Sequence, residues 1–255
     1  MSWSAQKYLA FEDERTRPVR DLVSAIPTTE VHLAMDVGCG PGNSTEVLAR
    51  RFPGATIRGL DSSADMIAAA RARLPQLRFD IAEIETWDEP GPFDVILANA
   101  VLHWLPDHGT LFPGLVAKLT KAGSLAVQMP DNLDEPAARL MREVAQQGPW
   151  ADKLADAAAE RTVIASPRCY YALLKPHCAR VDVWRTTYHH PLAGADGIVE
   201  WFKGSGLRPF LARLAEAERA AYLDRYRSEV ARAYPAMPDG SVLLPFPRLF
   251  IVATR

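Results

Sequence analysis

Met35-Asp36-Val37-Gly38-Cys39-Gly40-Pro41-Gly42-Asn43-Ser44 is the stretch from which the fold can be read. A short apolar run over residues 31–37 leads into it, and residues 43–52 have the pattern of a helix leaving it. Strand, glycine turn and helix in that order are the setting in which a glycine loop holds a nucleotide-like ligand. Glycine at alternate positions permits a tight turn and lets a ligand approach the main chain with no Cβ between them. The spacing is Gly-x-Gly-x-Gly, which differs from the Gly-x-Gly-x-x-Gly of dinucleotide binders.

Asp36 stands directly before the loop. A fixed carboxylate there repels a pyrophosphate. S-adenosylmethionine has no phosphate and presents an ammonium and a sulfonium, so the sign of the charge favours it over a nicotinamide dinucleotide. Loop N–H groups remain to take the ligand's own carboxylate.

Asp61 ends the next apolar run, residues 55–60, and an acid about 20 residues past such glycines accepts from ribose hydroxyls. Its competing role is a cap for the alanine-rich helix expected over residues 64–74, which Ser62 or Ser63 fills as well. Glu83 and Ile84 follow a weakly alternating third strand at residues 77–84. A carboxylate there can accept from an adenine amino group while a backbone N–H meets a ring nitrogen. Asp80 is the rival, and strand register decides between them. Asn99 follows the buried run of residues 93–98, at the carboxyl edge where open α/β sheets bind ligands; a turn or helix cap is its plain alternative.

A helix over residues 110–119 and a buried run at 124–129 continue the alternation, which implies a parallel sheet covered on both faces. The pattern then changes. Residues 135–147 read as helix, 150–175 as helices broken at Pro167, and 181–188 as a strand. Residues 198–234 are mostly helical, interrupted near 204–209, and 249–254 close the chain as a strand. A helical stretch between two strands predicts an insertion forming a substrate cap or wall. Without repeats or a low-complexity linker, residues 1–255 read as a single domain, with a cofactor-binding core at 20–130 and helical insertions at 131–247.

The glycine loop, the two spaced acids and FDVILAN at residues 93–99 together resemble the class I S-adenosylmethionine-dependent methyltransferases. That likeness implies an α/β, Rossmann-like, doubly wound sheet of seven mostly parallel strands with an antiparallel last strand. A closer likeness covers nearly the whole chain, through NAVLHWLPDH (99–108), LAVQMPDN (125–132), VDVWRTTYHH (181–190), GLRPFL (206–211) and FPRLFIV (246–252). It is to the branch of that family that esterifies a carboxylate of a small unsaturated tricarboxylate. By matching position it assigns Asp36, Gly38, Gly40, Asp61, Glu83 and Ile84 to the cofactor; Cys39, Ser62, Met66 and Asn99 complete the candidate set. The family often has Asp where this chain has Glu83.

A substrate carboxylate, with a pKa near ~4, is already ionised at neutral pH, so no catalytic base is expected. The demand is alignment for in-line displacement. Guanidinium forks hold carboxylates bidentately and keep their charge. Arg185, Tyr188 and Arg248 are therefore the leading substrate ligands, with Trp and Phe neighbours suggesting partly desolvated settings. Of the adjacent His189 and His190 at most one faces a pocket, because strand neighbours point to opposite sides. Trp104 either walls the cofactor from water or packs in the core. Trp3, Tyr8 and Phe11, near Arg15 and Arg17, read either as a lid or as an amphipathic helix.

Composition bounds the rest. The 255 residues carry 29 Lys+Arg against 31 Asp+Glu, a net charge of −2, which argues against a general nucleic-acid or membrane-surface binder. Hydrophobic residues make up 48%, so wholesale disorder is excluded. Cys39, Cys169 and Cys178 form no C-x-x-C pair, and with His177 they lack a fourth ligand, so no metal is expected. Neither a signal peptide nor a run approaching the roughly 20 apolar residues of a membrane span is evident, and the expectation is a cytoplasmic protein. The competing functions are another small-molecule or malonyl-carrier-protein O-methyltransferase, or a non-catalytic adenosyl-binding protein. A nicotinamide dehydrogenase is disfavoured by Asp36 and the glycine spacing.

Overall fold

The computed structural model describes residues 12–157 and 163–255. Its elements are α1 (Glu12–Ser24), β1 (Leu33–Val37), α2 (Asn43–Arg51), β2 (Thr56–Asp61), α3 (Ala64–Arg73), β3 (Arg78–Ile81), β4 (Phe93–Asn99), α4 (His108–Ala117) and β5 (Leu119–Pro130). There follow α5 (Pro136–Gln146), α6 (Ala151–Leu154), α7 (Pro167–Leu174), β6 (Arg180–Leu192), α8 (Gly194–Lys203), α9 (Arg208–Leu211), α10 (Glu216–Ala233) and β7 (Val242–Thr254). The strands form one seven-stranded sheet in the order β3-β2-β1-β4-β5-β7-β6.

Strands β3, β2, β1, β4 and β5 pair in parallel. Such pairs need crossover helices, which is why β1 to β5 read as apolar runs separated by helical ones. Beside β5, β7 runs the other way. The Ala122 N–H donates to the Arg255 carbonyl and the Arg255 N–H to that of Gly123, while Asp131 N–H reaches Pro247 at the opposite end. The expected fold class, with its reversed last strand, is the observed one. The chain winds from β1 outward to β3 and returns to lay β4 against β1. The carboxyl ends of β1 and β4 therefore flank a topological switch point, where open α/β sheets bind ligands.

The chain divides into two compact units. The first contains the described residues up to Pro130, with Ile164–Thr186 and Leu249–Arg255; the second contains the described parts of Asp131–Val163 and Thr187–Arg248. The core of the first joins Met35, Val37, Ile96, Ala98, Leu125 and Val127 from the sheet to Phe112, Leu115 and Tyr170 from helices. In the second, α5 and α8 both pack on α10, where Tyr222 and Tyr226 donate to the carbonyls of Met141 and Ala137.

Several boundaries differ from the sequence reading. The strand expected at residues 77–84 stops at Ile81, and a single 3-10 turn, Ile84–Thr86, follows. Strands β6 and β7 are longer than expected. Pro245 and Pro247 lie inside β7; a proline inside a strand loses only its donor, and the Pro247 carbonyl still accepts from Asp131 at 2.9 Å. Residues 3, 8 and 11, read as a lid or an amphipathic helix, lie outside the described residues.

Candidate cofactor and substrate sites

The glycine loop is a turn with left-handed backbone at Gly38 (φ 69°), Gly40 (φ 54°) and Gly42 (φ 90°). A side chain is costly in that region, so the three glycines are required by the path of the chain. They differ in surroundings. A Cβ on Gly38 would lie 2.3 Å from Val101, whereas one on Gly40 would meet nothing within 4 Å among the described residues. Gly40 thus faces open space, where a ligand can reach the main chain.

Asp36, at the carboxyl end of β1, is wholly buried. Its Oδ2 accepts from the Ser44 and Thr45 hydroxyls in the first turn of α2, each at 2.7 Å, and its Oδ1 is buried with no hydrogen-bond partner. Burial pushes its pKa up to about 7, against the pull of Thr45 and Ser44 and with help from the charge of Asp61. This corrects the expectation that Asp36 offers a fixed charge to a ligand: it is enclosed, partly protonated at neutral pH, and clasps the loop to the helix. Ser44 and Thr45 were missed because hydroxyls at a helix start read as ordinary capping residues.

Asp61, at the end of β2, is bound to the loop itself. Its Oδ2 accepts the Gly40 N–H at 2.9 Å and its Oδ1 that of Ser63 at 2.9 Å. A loop donor that a phosphate would need is therefore already bound to a carboxylate. Burial raises the Asp61 pKa, and the Ser63 and Gly40 N–H groups oppose that rise. Ser63, rather than Asp61, is the N-cap of α3, accepting from Met66 N–H at 3.4 Å. The two oxygens of Asp61 thus hold the loop at Gly40 and the backbone at Ser63.

Register separates the rival acids. Asp80 lies within β3 opposite Leu60, engaged by Arg58 at 3.1 Å and Arg78 at 3.0 Å. Its burial acts upward on its pKa, yet the two guanidinium groups together hold the carboxyl below its ordinary range. Glu83, beyond the strand end, is exposed and caps nothing. Ile84 packs in the core of the first unit, which leaves its backbone, not its side chain, for a ligand.

The remaining candidates divide similarly. Cys39 is buried with Ile67, Ala70, Leu74 and Phe79, its pKa raised by burial, so its side chain is a core group. Met66 is buried and Ser62 exposed. Asn99 ends β4 opposite Gln128, just before Ala100 at φ 54°, and its Oδ1 is buried without a hydrogen-bond partner. Trp104 is half-buried, its ring 4.9 Å from that of His103. Among the described residues no three His, Cys, Asp or Glu side chains gather as metal ligands. The open face at Gly40, the unfilled acceptor of Asn99 and the accessible Glu83 suit a nucleoside with hydroxyl and amine donors.

The second unit holds a different chemistry. Arg248, 4% exposed, lies with its guanidinium carbon 4.7 Å from the centre of the Phe246 ring. His190 stacks 4.5 Å from Trp201 and 6.3 Å from Tyr188, with Phe246 at 5.9 Å. Tyr188 and Arg248, chosen from sequence, thus fall in one aromatic cluster. His189 is exposed and His190 buried, so the imidazole on the inner face is the second of the pair, a correction that follows from strand alternation. Arg185, in the first unit, is exposed: Trp184 stacks on Phe250 at 5.0 Å, and adjacent strand residues point to opposite sides. Trp201 and Phe246 were not singled out, because aromatic residues on a helix and a strand read as core.

Residues 34–123 match the family model described as a methyltransferase domain. The YcgJ protein of Bacillus subtilis superposes with a TM-score of 0.62 at 12% identity, over 94% of this chain and 98% of that one. Phosphoethanolamine N-methyltransferase 2 of Haemonchus contortus, in complex with S-adenosyl-L-methionine, does so with 0.55 at 14% identity, over 93% and 52%. The fold is that of the class I methyltransferases. The chain is also 52% identical to the trans-aconitate 2-methyltransferase of Rhizobium meliloti (strain 1021), over all 255 residues and 99% of that protein. The same enzyme of Yersinia pseudotuberculosis serotype O:1b (strain IP 31758) is 52% identical over 251 residues, 98% of this chain and 97% of that one. The chain belongs to the trans-aconitate 2-methyltransferase family.

Proposed function

We propose that this chain transfers the methyl group of S-adenosylmethionine to one carboxylate of trans-aconitate, giving S-adenosylhomocysteine and the monomethyl ester. The observation that carries the reading is the extent of the likeness. The match, at 52% identity, extends over all 255 residues and so spans the second unit as well as the first.

S-adenosylmethionine supplies the activated methyl group. Toward it, Asp61 accepts from ribose hydroxyls, Glu83 from the adenine amino group, and Asn99 offers its unfilled carbonyl oxygen to a donor at the carboxyl end of β4. Gly40 leaves room for the ligand against the backbone. Toward the substrate, Arg248 provides a charge that does not titrate, in a setting from which water is largely excluded. Tyr188 and His190 line the same cluster. The attacking carboxylate is ionised on its own, so these residues bind and orient, and no side chain needs to take a proton.

The test is a panel of tricarboxylates incubated with purified protein and methyl-labelled cofactor. Ester should form with trans-aconitate, and less well with cis-aconitate or citrate. Absence of ester from trans-aconitate would overturn the substrate and leave the methyltransferase class standing.

A further inference from the structure

Phe246 is the hub of the buried cluster in the second unit. One contact of its ring is the Arg248 guanidinium at 4.7 Å. Around it lie Trp201 at 5.6 Å and 60°, His190 at 5.9 Å and 58°, and Phe202 at 6.1 Å and 26°. All are buried, so the ring has little freedom to turn. A guanidinium presents its five N–H groups in its own plane. When that cation lies on an aromatic ring, the ring's orientation selects the plane in which a carboxylate is met by two parallel hydrogen bonds. An arginine without such a platform has several rotatable bonds and can follow a carboxylate into other planes.

We propose that Phe246 is a positioning residue: it sets the plane of the Arg248 fork and thereby the preference for trans- over cis-disposed carboxylates. This rests on Arg248 binding the substrate, as proposed above. The double bond of aconitate fixes the relative placement of the two carboxylates attached to it, the third being on a methylene, so a fork locked in one plane fits one isomer and misses the other. A fork that is free to swing binds the trans isomer less well and separates the two less sharply.

The experiment measures initial rates of ester formation by the full-length protein with trans- and cis-aconitate at saturating cofactor, alongside thermal melting. Phe246→Leu keeps an apolar group but removes the π face. It should raise KM for trans-aconitate about tenfold, hold kcat within about twofold, and lower the trans-to-cis ratio of kcat/KM. Phe246→Tyr, which retains the face, should restore most of both. A residue that merely packs would lower the melting temperature and leave the isomer ratio alone. Should Phe246→Leu prevent folding, Trp201→Phe shrinks the ring packed 5.6 Å from Phe246 and should shift KM and ratio the same way, by less. An unchanged KM and ratio in these variants, with KM raised in Arg248→Lys, overturns the role of Phe246 alone. A wild-type protein that does not distinguish the isomers overturns it too. No ester from trans-aconitate with the wild type removes the underlying reading instead.

Discussion

In the first unit Asp36 is a buried carboxylate held by hydroxyl donors and Asp61 a partly buried one held by backbone donors, whereas in the second Arg248 is a buried guanidinium lying on an aromatic ring. The two solutions differ in what they do with protons. Asp36, enclosed at the end of β1, is pushed up to about 7 and can shed its charge when solvation is withdrawn. Arg248 has no such escape, since a guanidinium stays protonated across the working range of a protein. A buried carboxylate can therefore serve structure, tying a loop to a helix. A buried guanidinium remains a permanent cation, suited to a multiply charged anion.

The contrast can be broken most severely at Arg248. Arg248→Ala should raise KM for trans-aconitate by roughly 30- to 100-fold, as for loss of a hydrogen-bonded charge worth about 2–3 kcal/mol. Binding of S-adenosylhomocysteine, followed by calorimetry, should change little. Equal loss of both would mark a folding defect. In the first unit, Asp61→Ala should weaken S-adenosylhomocysteine by about tenfold or somewhat more, because it removes a ribose acceptor and also frees the Gly40 N–H. Unchanged affinity would contradict the ribose role.

The proton held by Asp36 makes a finer distinction. Its folded pKa of about 7 lies above that of an unfolded aspartate, near ~4. Between those values the folded protein keeps a proton that the unfolded chain has lost. The stability this contributes is full below about pH 4, falls as pH rises, and is gone above about pH 7. Asp36→Asn removes that dependence. Urea unfolding at about pH 5 and about pH 8 should show the wild type losing up to about 3 kcal/mol more than the variant. Parallel curves would mean that Asp36 is ionised throughout.

Arg185 gives the smallest expected change. Exposed on β6, it should tolerate Ala with KM for trans-aconitate shifted by less than about threefold, in line with the weak contribution of solvated charges. A loss comparable to that of Arg248→Ala would restore it as a substrate ligand.

The loop, the parallel strands and the place of Asp61 at the end of a strand were legible because each rests on local chemistry: glycine spacing and apolar run length. The side to which a residue turns was less so. Arg185 and Arg248 both sit in strands among aromatic residues and look alike as sequence. Trp184 stacking on Phe250 turns Arg185 out, while Phe246 and Arg248, two residues apart, share the buried face. Asp36 was misread for a similar reason, because its position before the loop was visible and its two hydroxyl partners on α2 were not.

The amino-acid sequence by itself determined the order of strands and helices, the glycine loop and the acids at strand ends, because backbone freedom and hydrophobic periodicity act over neighbouring residues. Only the tertiary structure decided which carboxylate is enclosed, which acid is paired with arginine, and which arginine is buried on a ring. Those outcomes depend on desolvation and on partners distant in the chain, and neither is a property of any local stretch.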